Sequence, residues 1–240
     1  MSVFANLVEQ LADLLQPLFH ASAAAAAIVV FTALVRLLVH PLSRAAARGQ
    51  RARAALQPKV AELRKKHAKN PEKLQTAVLE LHAEEKVSPL SGCLPSLLQL
   101  PAFFLLYHLF SNSTIGGEGN GLLTHQLFAA PLGGRWADAL GDGGVFGGAG
   151  LVYLALFAVV ATVATFNYVR TKRMATAGGA LPVGDGDGGE QVPGLAAVGR
   201  IMPLMSYLTI VTVAVVPLAA ALYVVTSTTW SAVERAVLYR

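Results

Sequence analysis

Charge is what this chain has least of: Asp, Glu, Lys and Arg make up 14% of its 240 residues, against ~25% in ordinary soluble domains. No acidic side chain falls in any of its long apolar runs, which leaves them without a proton relay or a carboxylate pair for acid–base work. The single cysteine, Cys93, excludes an intrachain disulfide and a cysteine-based metal site. Six histidines (His20, His40, His67, His82, His108 and His125) sit on separate segments without metal-ligand spacing. A P-loop is absent. Residues 1–20 carry Glu9 and Asp13 and lack both a basic leader and a small-residue exit, so no cleavable signal is read there. Gly184-x-Gly186-x-x-Gly189 matches a dinucleotide fingerprint by spacing alone, without the strand or βαβ context it needs. Asp185, Asp187 and Glu190 beside it lack a calcium loop, and 178–189, like 116–121 and 141–150, reads as a Gly-rich mobile linker. These absences point to a protein that is not an enzyme and holds no cofactor or metal.

What the chain has is apolar length. Hydrophobic residues reach 54% and mean hydropathy is +0.53, the composition of a polytopic membrane protein. Spans are expected at 21–40, 93–110 and 149–169; the last apolar stretch is too long for one crossing and breaks at Pro217, giving 201–214 and 217–233. The fold class expected is an all-α integral membrane protein with five transmembrane helices.

Loop charge orients the bundle. The 41–92 segment holds eleven Lys and Arg residues, whereas 111–150 holds only Arg135. The positive-inside rule then places 41–92, the 170–200 loop and the 234–240 tail in the cytoplasm, with the 111–148 loop and the N-terminus outside. The net charge of +5 follows these loops and does not form a basic DNA-binding domain.

Two surface elements complete the architecture. Leu56, Val60, Leu63 and His67 share one helical stripe and Leu74, Val78 and Leu81 another, with a turn at Asn70-Pro71, so 41–92 reads as a cytosolic helical hairpin. A basic amphipathic pair lying on anionic lipid is the other reading of that segment. Residues 1–20 form an outer interfacial amphipathic helix, its stripe running Val3, Phe4, Leu7, Leu11, Leu14, Leu15 and Leu18.

Arg36 is the residue that carries chemistry. It lies inside the first apolar run, where a cation normally faces a protein interior or a wet cavity, although its closeness to Pro41 also permits snorkelling to the interface. Thr32 lies one turn away on the same face; Ser96 and Gln99 sit in the second span, Ser206, Thr209 and Thr212 in the fourth, and Tyr223, Thr226 and Ser227 in the fifth. Singly these serve as interhelical glue. Together with a cation they can wet a groove.

Three ordered stretches resemble a known family. Val35-Arg36-Leu37-Leu38-Val39-His40-Pro41-Leu42, then Leu56-Gln57-Pro58-Lys59-Val60, then 87–101 with its Gly92-Cys93-Leu94-Pro95 element, are similar to the signatures of YidC-type membrane protein insertases. Arg200-Ile201-Met202-Pro203-Leu204-Met205 and Leu222-Tyr223 resemble the openings of that family's last two helices. The resemblance, which is to a short member, implies a hydrophilic groove open to cytosol and lipid and closed outside, with Arg36 as its charge and Thr32, Gln99, Tyr223 and Ser96 along it. It also implies nascent membrane proteins as substrates in the bacterial plasma membrane, with the general translocon, targeting factors and the ribosome as further partners. Ser88 and Val224 depart from the family's usual Asn and Trp, and no large outer domain, lipoprotein cysteine or long basic tail is read here. A small polytopic transporter and a membrane scaffold with a coiled hairpin are the alternatives; the first lacks an inverted repeat, and the second leaves Arg36 without a role.

Overall fold

Helix formers dominate the chain from end to end, and the computed structural model is correspondingly helical; it describes residues 2–68, 70–87, 94–115, 117–176 and 202–238. In chain order the helices are α1 (Ser2–Phe19), α2 (Ala23–Lys66), α3 (Pro71–Glu84), α4 (Leu94–Ser111), α5 (Trp136–Gly143), α6 (Gly148–Thr176), α7 (Leu208–Val215) and α8 (Leu218–Leu238). Two of these meet the length and hydropathy of a crossing by themselves, the helical run that contains α2 and the helix α6; Leu204–Val215 is a shorter apolar segment.

Several expected boundaries move. The helix that carries the first expected span does not stop at Pro41: α2 is a single helix of 44 residues that passes through Pro41 and Pro58 into the basic region. A proline inside a helix removes one backbone bond and crowds the preceding turn. Good helix formers on both sides, such as Ala45, Ala46 and Ala47, and the lack of competing water around a span let the helix continue. The hairpin is therefore the far half of α2 folded against α3, with Asn70 capping α3 by accepting from the Lys73 amide at 3.0 Å.

The other ends shift in the same direction. Helix α6 runs to Thr176, well beyond 169, and α8 runs to Leu238, so most of the expected C-terminal tail is helix. The short fourth span resolves into a 3₁₀ segment, Met202–Tyr207, followed by α7. Of the Gly-rich stretches, 116–121 contributes a strand, Glu118–Gly119, paired with Thr114–Ile115, and 141–150 holds the end of α5 and the start of α6. The 178–189 stretch, with its glycine fingerprint, and Ser88 lie outside the described residues.

Helix α8 is the axis of packing. It is contacted by α2, α4, α6 and α7, and every residue from Leu218 to Val225 is buried. In lipid there is little hydrophobic drive between helices, so close fit must hold them. The Ala219-Ala220-Ala221 run supplies small side chains that let neighbouring backbones approach.

A cap closes one end of this core. Residues 112–147 form two small hairpins (the second pairs Gln126–Leu127 with Ala130–Pro131) and α5, whose Trp136 packs edge-on to Tyr153 and Phe157 of α6. The first amides of α8 have no partners within the helix; here Leu218 N–H donates to Gly134 O at 2.8 Å and Ala219 N–H to Leu132 O at 2.9 Å. Tyr153 Oη donates to the same Gly134 carbonyl at 2.6 Å. The cap is thus hydrogen-bonded onto the entry of the central helix.

Candidate functional site

Polar chemistry inside the bundle gathers where α2 and α8 run side by side. The two helices are parallel in this contact, because partners advance together: Arg36 meets Ser227, His40 meets Glu234, and Arg51 meets the Leu238 carbonyl. Helical spacing explains the alignment. Arg36 and His40 are one turn apart on α2, and Ser227 and Glu234 are two turns apart on α8, so each pair shares a face.

Arg36 Nη2 donates to Ser227 Oγ. That contact turns the guanidinium toward α8, where snorkelling would have sent it along α2 to the surface. A hydroxyl answers one of five guanidinium donors and none of its charge. Among the described residues no carboxylate stands within ion-pair distance of Arg36, although Glu234 and the Tyr223 hydroxyl are close enough to interact with it electrostatically. Arg36 lies 13 residues into α2, about 20 Å from the start of the helix at ~1.5 Å per residue. That depth is within a hydrocarbon layer of ~30 Å.

His40 Nδ1 and Glu234 Oε1 lie 2.5 Å apart, with the glutamate side chain nearly enclosed. Neither residue stood out in the sequence. The apolar count ended at 233, which left Glu234 in the tail, and the histidines were read as scattered. The signal that could have found them is the continuation of the α8 period past the last apolar residue.

The remaining expected site residues divide. Thr32 is 1% exposed and its hydroxyl donates to its own helix at Ile28 O, 2.7 Å away, so it faces packing and does not line an open groove. Its side chain satisfies the backbone of α2, a common fate of threonine in an apolar helix. Tyr223 is 3% exposed and wedged between Phe103 and Phe110 of α4, ring centres 5.9 and 6.0 Å away. It sits one turn above Ser227 on the same face of α8, in reach of both Ser227 and Arg36. Ser96 and Gln99 belong to α4; their side chains lie outside the described residues.

Two further polar atoms are buried in the bundle. Asn167 Oδ1 on α6 and Thr229 Oγ1 on α8 are buried without a protein hydrogen-bond partner. Buried polar groups are rarely left unpaired in a dry interior.

A helical bundle with a cation held inside it, a cap at one end and a basic hairpin at the other defines a membrane-embedded protein with a polar interior seam. Comparison with known proteins places it further. The family described as "60Kd inner membrane protein" matches residues 15–240, and the chain belongs to that family. It is similar to a protein named "Membrane protein insertase YidC" from Clostridium perfringens (strain 13 / Type A), 44% identical over 87 residues, or 36% of this chain and 37% of the relative. A relative of the same name from Chlorobium limicola is 41% identical over 86 residues, covering 36% of this chain and 15% of its own. "Inner membrane ALBINO3-like protein 2, chloroplastic" from Chlamydomonas reinhardtii is 37% identical over 131 residues, 55% of this chain and 28% of the relative. The matched region thus spans well under half the length of these relatives.

Proposed function

We propose that this protein integrates small membrane proteins into the bacterial plasma membrane, presenting the α2–α8 seam to a nascent chain as a polar, positively charged groove. The observation that carries the reading is Arg36 held by a neutral hydroxyl at bilayer depth; membership of the family and the insertase names of its relatives support it.

The physical task is to move polar backbone and a hydrophilic flank across hydrocarbon, where each unsatisfied polar group costs several kcal/mol. A seam with the Ser227 hydroxyl and the Arg36 guanidinium shortens the apolar barrier. Arg36, with donors to spare beyond Ser227, attracts an acidic outer flank more strongly than the ~1 kcal/mol of an ion pair in bulk water. The apolar part of the substrate then leaves sideways into lipid, driven by ~25 cal/mol per Å² of apolar surface. No nucleotide enters this scheme.

In this reading five helices cross the membrane, the N-terminus and the cap are outside, and the hairpin and C-terminus are cytoplasmic. The α2–α3 hairpin receives the substrate, and the general translocon, targeting factors and ribosome are the partners it would meet. The hydrogen bonds of Leu218 and Ala219 to the cap support an outer end that stays shut. Purified protein in liposomes, challenged with a small radiolabelled membrane protein carrying an acidic outer flank, tests the proposal. Protease-protected product above the level of empty liposomes is the expected result; equality of the two sinks it.

A further inference from the structure

The two aromatic side chains most open to solvent among the described residues are Phe146 at 83% and Phe128 at 75%, and both belong to the cap. One exposed phenylalanine needs no explanation, but two on adjoining uncharged segments make an apolar patch. Phe128 sits at the tip of the Gln126–Pro131 hairpin with φ +53, a left-handed conformation that side chains other than glycine seldom adopt. Its amide donates to Ser22 Oγ at 3.3 Å, which ties the tip to the start of α2. Phe146 lies two residues before α6 begins at Gly148.

The two segments that carry these rings meet at one rim. A methyl group on Gly148 would stand 2.7 Å from the Ala129 Cβ, so the bare glycine lets the α6 entry touch the residue next to Phe128. Both segments are uncharged: Gln-Leu-Phe-Ala-Ala-Pro-Leu-Gly-Gly at 126–134 and Gly-Gly-Val-Phe-Gly-Gly-Ala-Gly-Leu at 143–151. Beyond them the exposed face of α6 continues through Leu151, Val159 and Phe166, spaced by about two helical turns each and hence aligned along one side. The rim is the extension of a face already turned to lipid.

From this juxtaposition we propose that Phe128 and Phe146 dip into the outer leaflet at the headgroup–acyl boundary, so that the cap rests on the bilayer and does not stand free in the outer solution. Phenylalanine is among the side chains that interfacial elements bury at the headgroup–acyl boundary, and apolar area held there gives binding without a crossing. The proposal rests on α6 spanning the membrane and is independent of the insertase reading. The strained backbone at Phe128 and its bond to Ser22 then have a purpose, which is to aim one ring outward from a tip only a few residues wide.

The test uses full-length protein with Cys93→Ser, reconstituted in phosphatidylglycerol–phosphatidylethanolamine vesicles. A nitrobenzoxadiazole label is placed on Phe146→Cys, on Phe128→Cys, on Ser113→Cys as a water reference and on Leu151→Cys as a lipid reference. Labels at 146 and 128 should show blue-shifted emission, several-fold less iodide quenching than the label at 113, and stronger quenching by lipids spin-labelled near the carbonyl than near the chain end. Iodide quenching equal to that at 113 would place the rim in water and overturn the proposal. Protection from both iodide and spin-labelled lipid, with cross-linking to a second copy, would show a protein contact and overturn it too. Phe146→Cys alters no strained backbone, so it decides the matter if Phe128→Cys fails to fold.

Discussion

Arg36 and Ser227 face each other across the α2–α8 seam, joined by a hydrogen bond, and among the described residues no carboxylate forms an ion pair with the arginine, Glu234 acting on it only from a distance. A cation in this position is held without being neutralised. A carboxylate in place of Ser227 would satisfy it at close range and remove the attraction for an incoming acid.

The first prediction follows from that balance. Ser227→Asp should lower insertion of acidic-flank substrates about as far as Arg36→Ala does, while Ser227→Ala should have a smaller effect. Arg36→Lys should retain more activity than Arg36→Ala, because a point cation still attracts acid although the guanidinium fork is lost. The assay is protease protection in reconstituted vesicles. Wild-type activity in Arg36→Ala across several acidic-flank substrates would leave the arginine without a role in transfer.

The second concerns the lower end of the seam. His40→Ala and Glu234→Ala should each lower the thermal midpoint of the protein in detergent, and the double variant should fall by less than the sum, with a coupling of roughly 1 kcal/mol. Additive losses would show that the contact of 2.5 Å contributes nothing beyond the separate side chains.

The third is topological. Cysteines at Ser113 and Asp142, both exposed in the cap, should react with an impermeant maleimide from outside intact cells. One at Lys66 should react only after the membrane is opened. The reverse pattern would invert the bundle and put the seam's polar end on the wrong side for a cytosolic substrate.

A fourth prediction addresses the hairpin. Lys59 donates to Glu85 across the α2–α3 pair, and that hydrogen bond, with the carboxylate charge, raises the affinity of Lys59 for its proton above the usual lysine value. With the folded affinity raised, the stabilisation is fully present below the ordinary lysine pKa of ~10.4 and is lost as pH climbs above it. The difference in α3 amide protection between wild type and Lys59→Ala should therefore stay constant from about pH 6 to about pH 9. In salt at ~1 M the wild type and Lys59→Ala should converge, since the pair is exposed and screened.

The fifth distinguishes early from late contacts. A photocrosslinker at Leu79, exposed on α3, should capture an arriving chain before one at Arg36, which is half-buried in the seam. One at Tyr223 should capture little, because that ring is packed against Phe103 and Phe110. Strong early capture at 223 would mean that α4 parts from α8 on engagement.

Much of this was legible in the chain, and the failures have common causes. Asn70-Pro71 announces its turn because a cap and a fixed proline φ act locally. Arg36 announces itself because charge in an apolar run is rare. Pro41 misled, since sequence marks where a helix loses a bond and says nothing about how strongly its surroundings hold it together. The Gly-rich cap misled for the converse reason: residues that form weak local structure were fixed by distant partners, such as Gly134 O with Leu218 and Tyr153. Thr32 could not be told from a groove residue, because a hydroxyl that bonds its own backbone and one that faces water share the same place on a helical wheel.

The unbroken run of α2 has a mechanical consequence. At ~1.5 Å per residue its 44 residues form a rod of about 66 Å, carrying the basic hairpin at one end and the half-buried cation along its shaft. Pro41 and Pro58 each cost the rod a backbone bond, and Pro41 stands next to His40, whose contact with Glu234 braces the shaft against α8. A load on the hairpin therefore bends α2 at a point one turn below Arg36, and the strength of that brace sets how much of the bend reaches the charge.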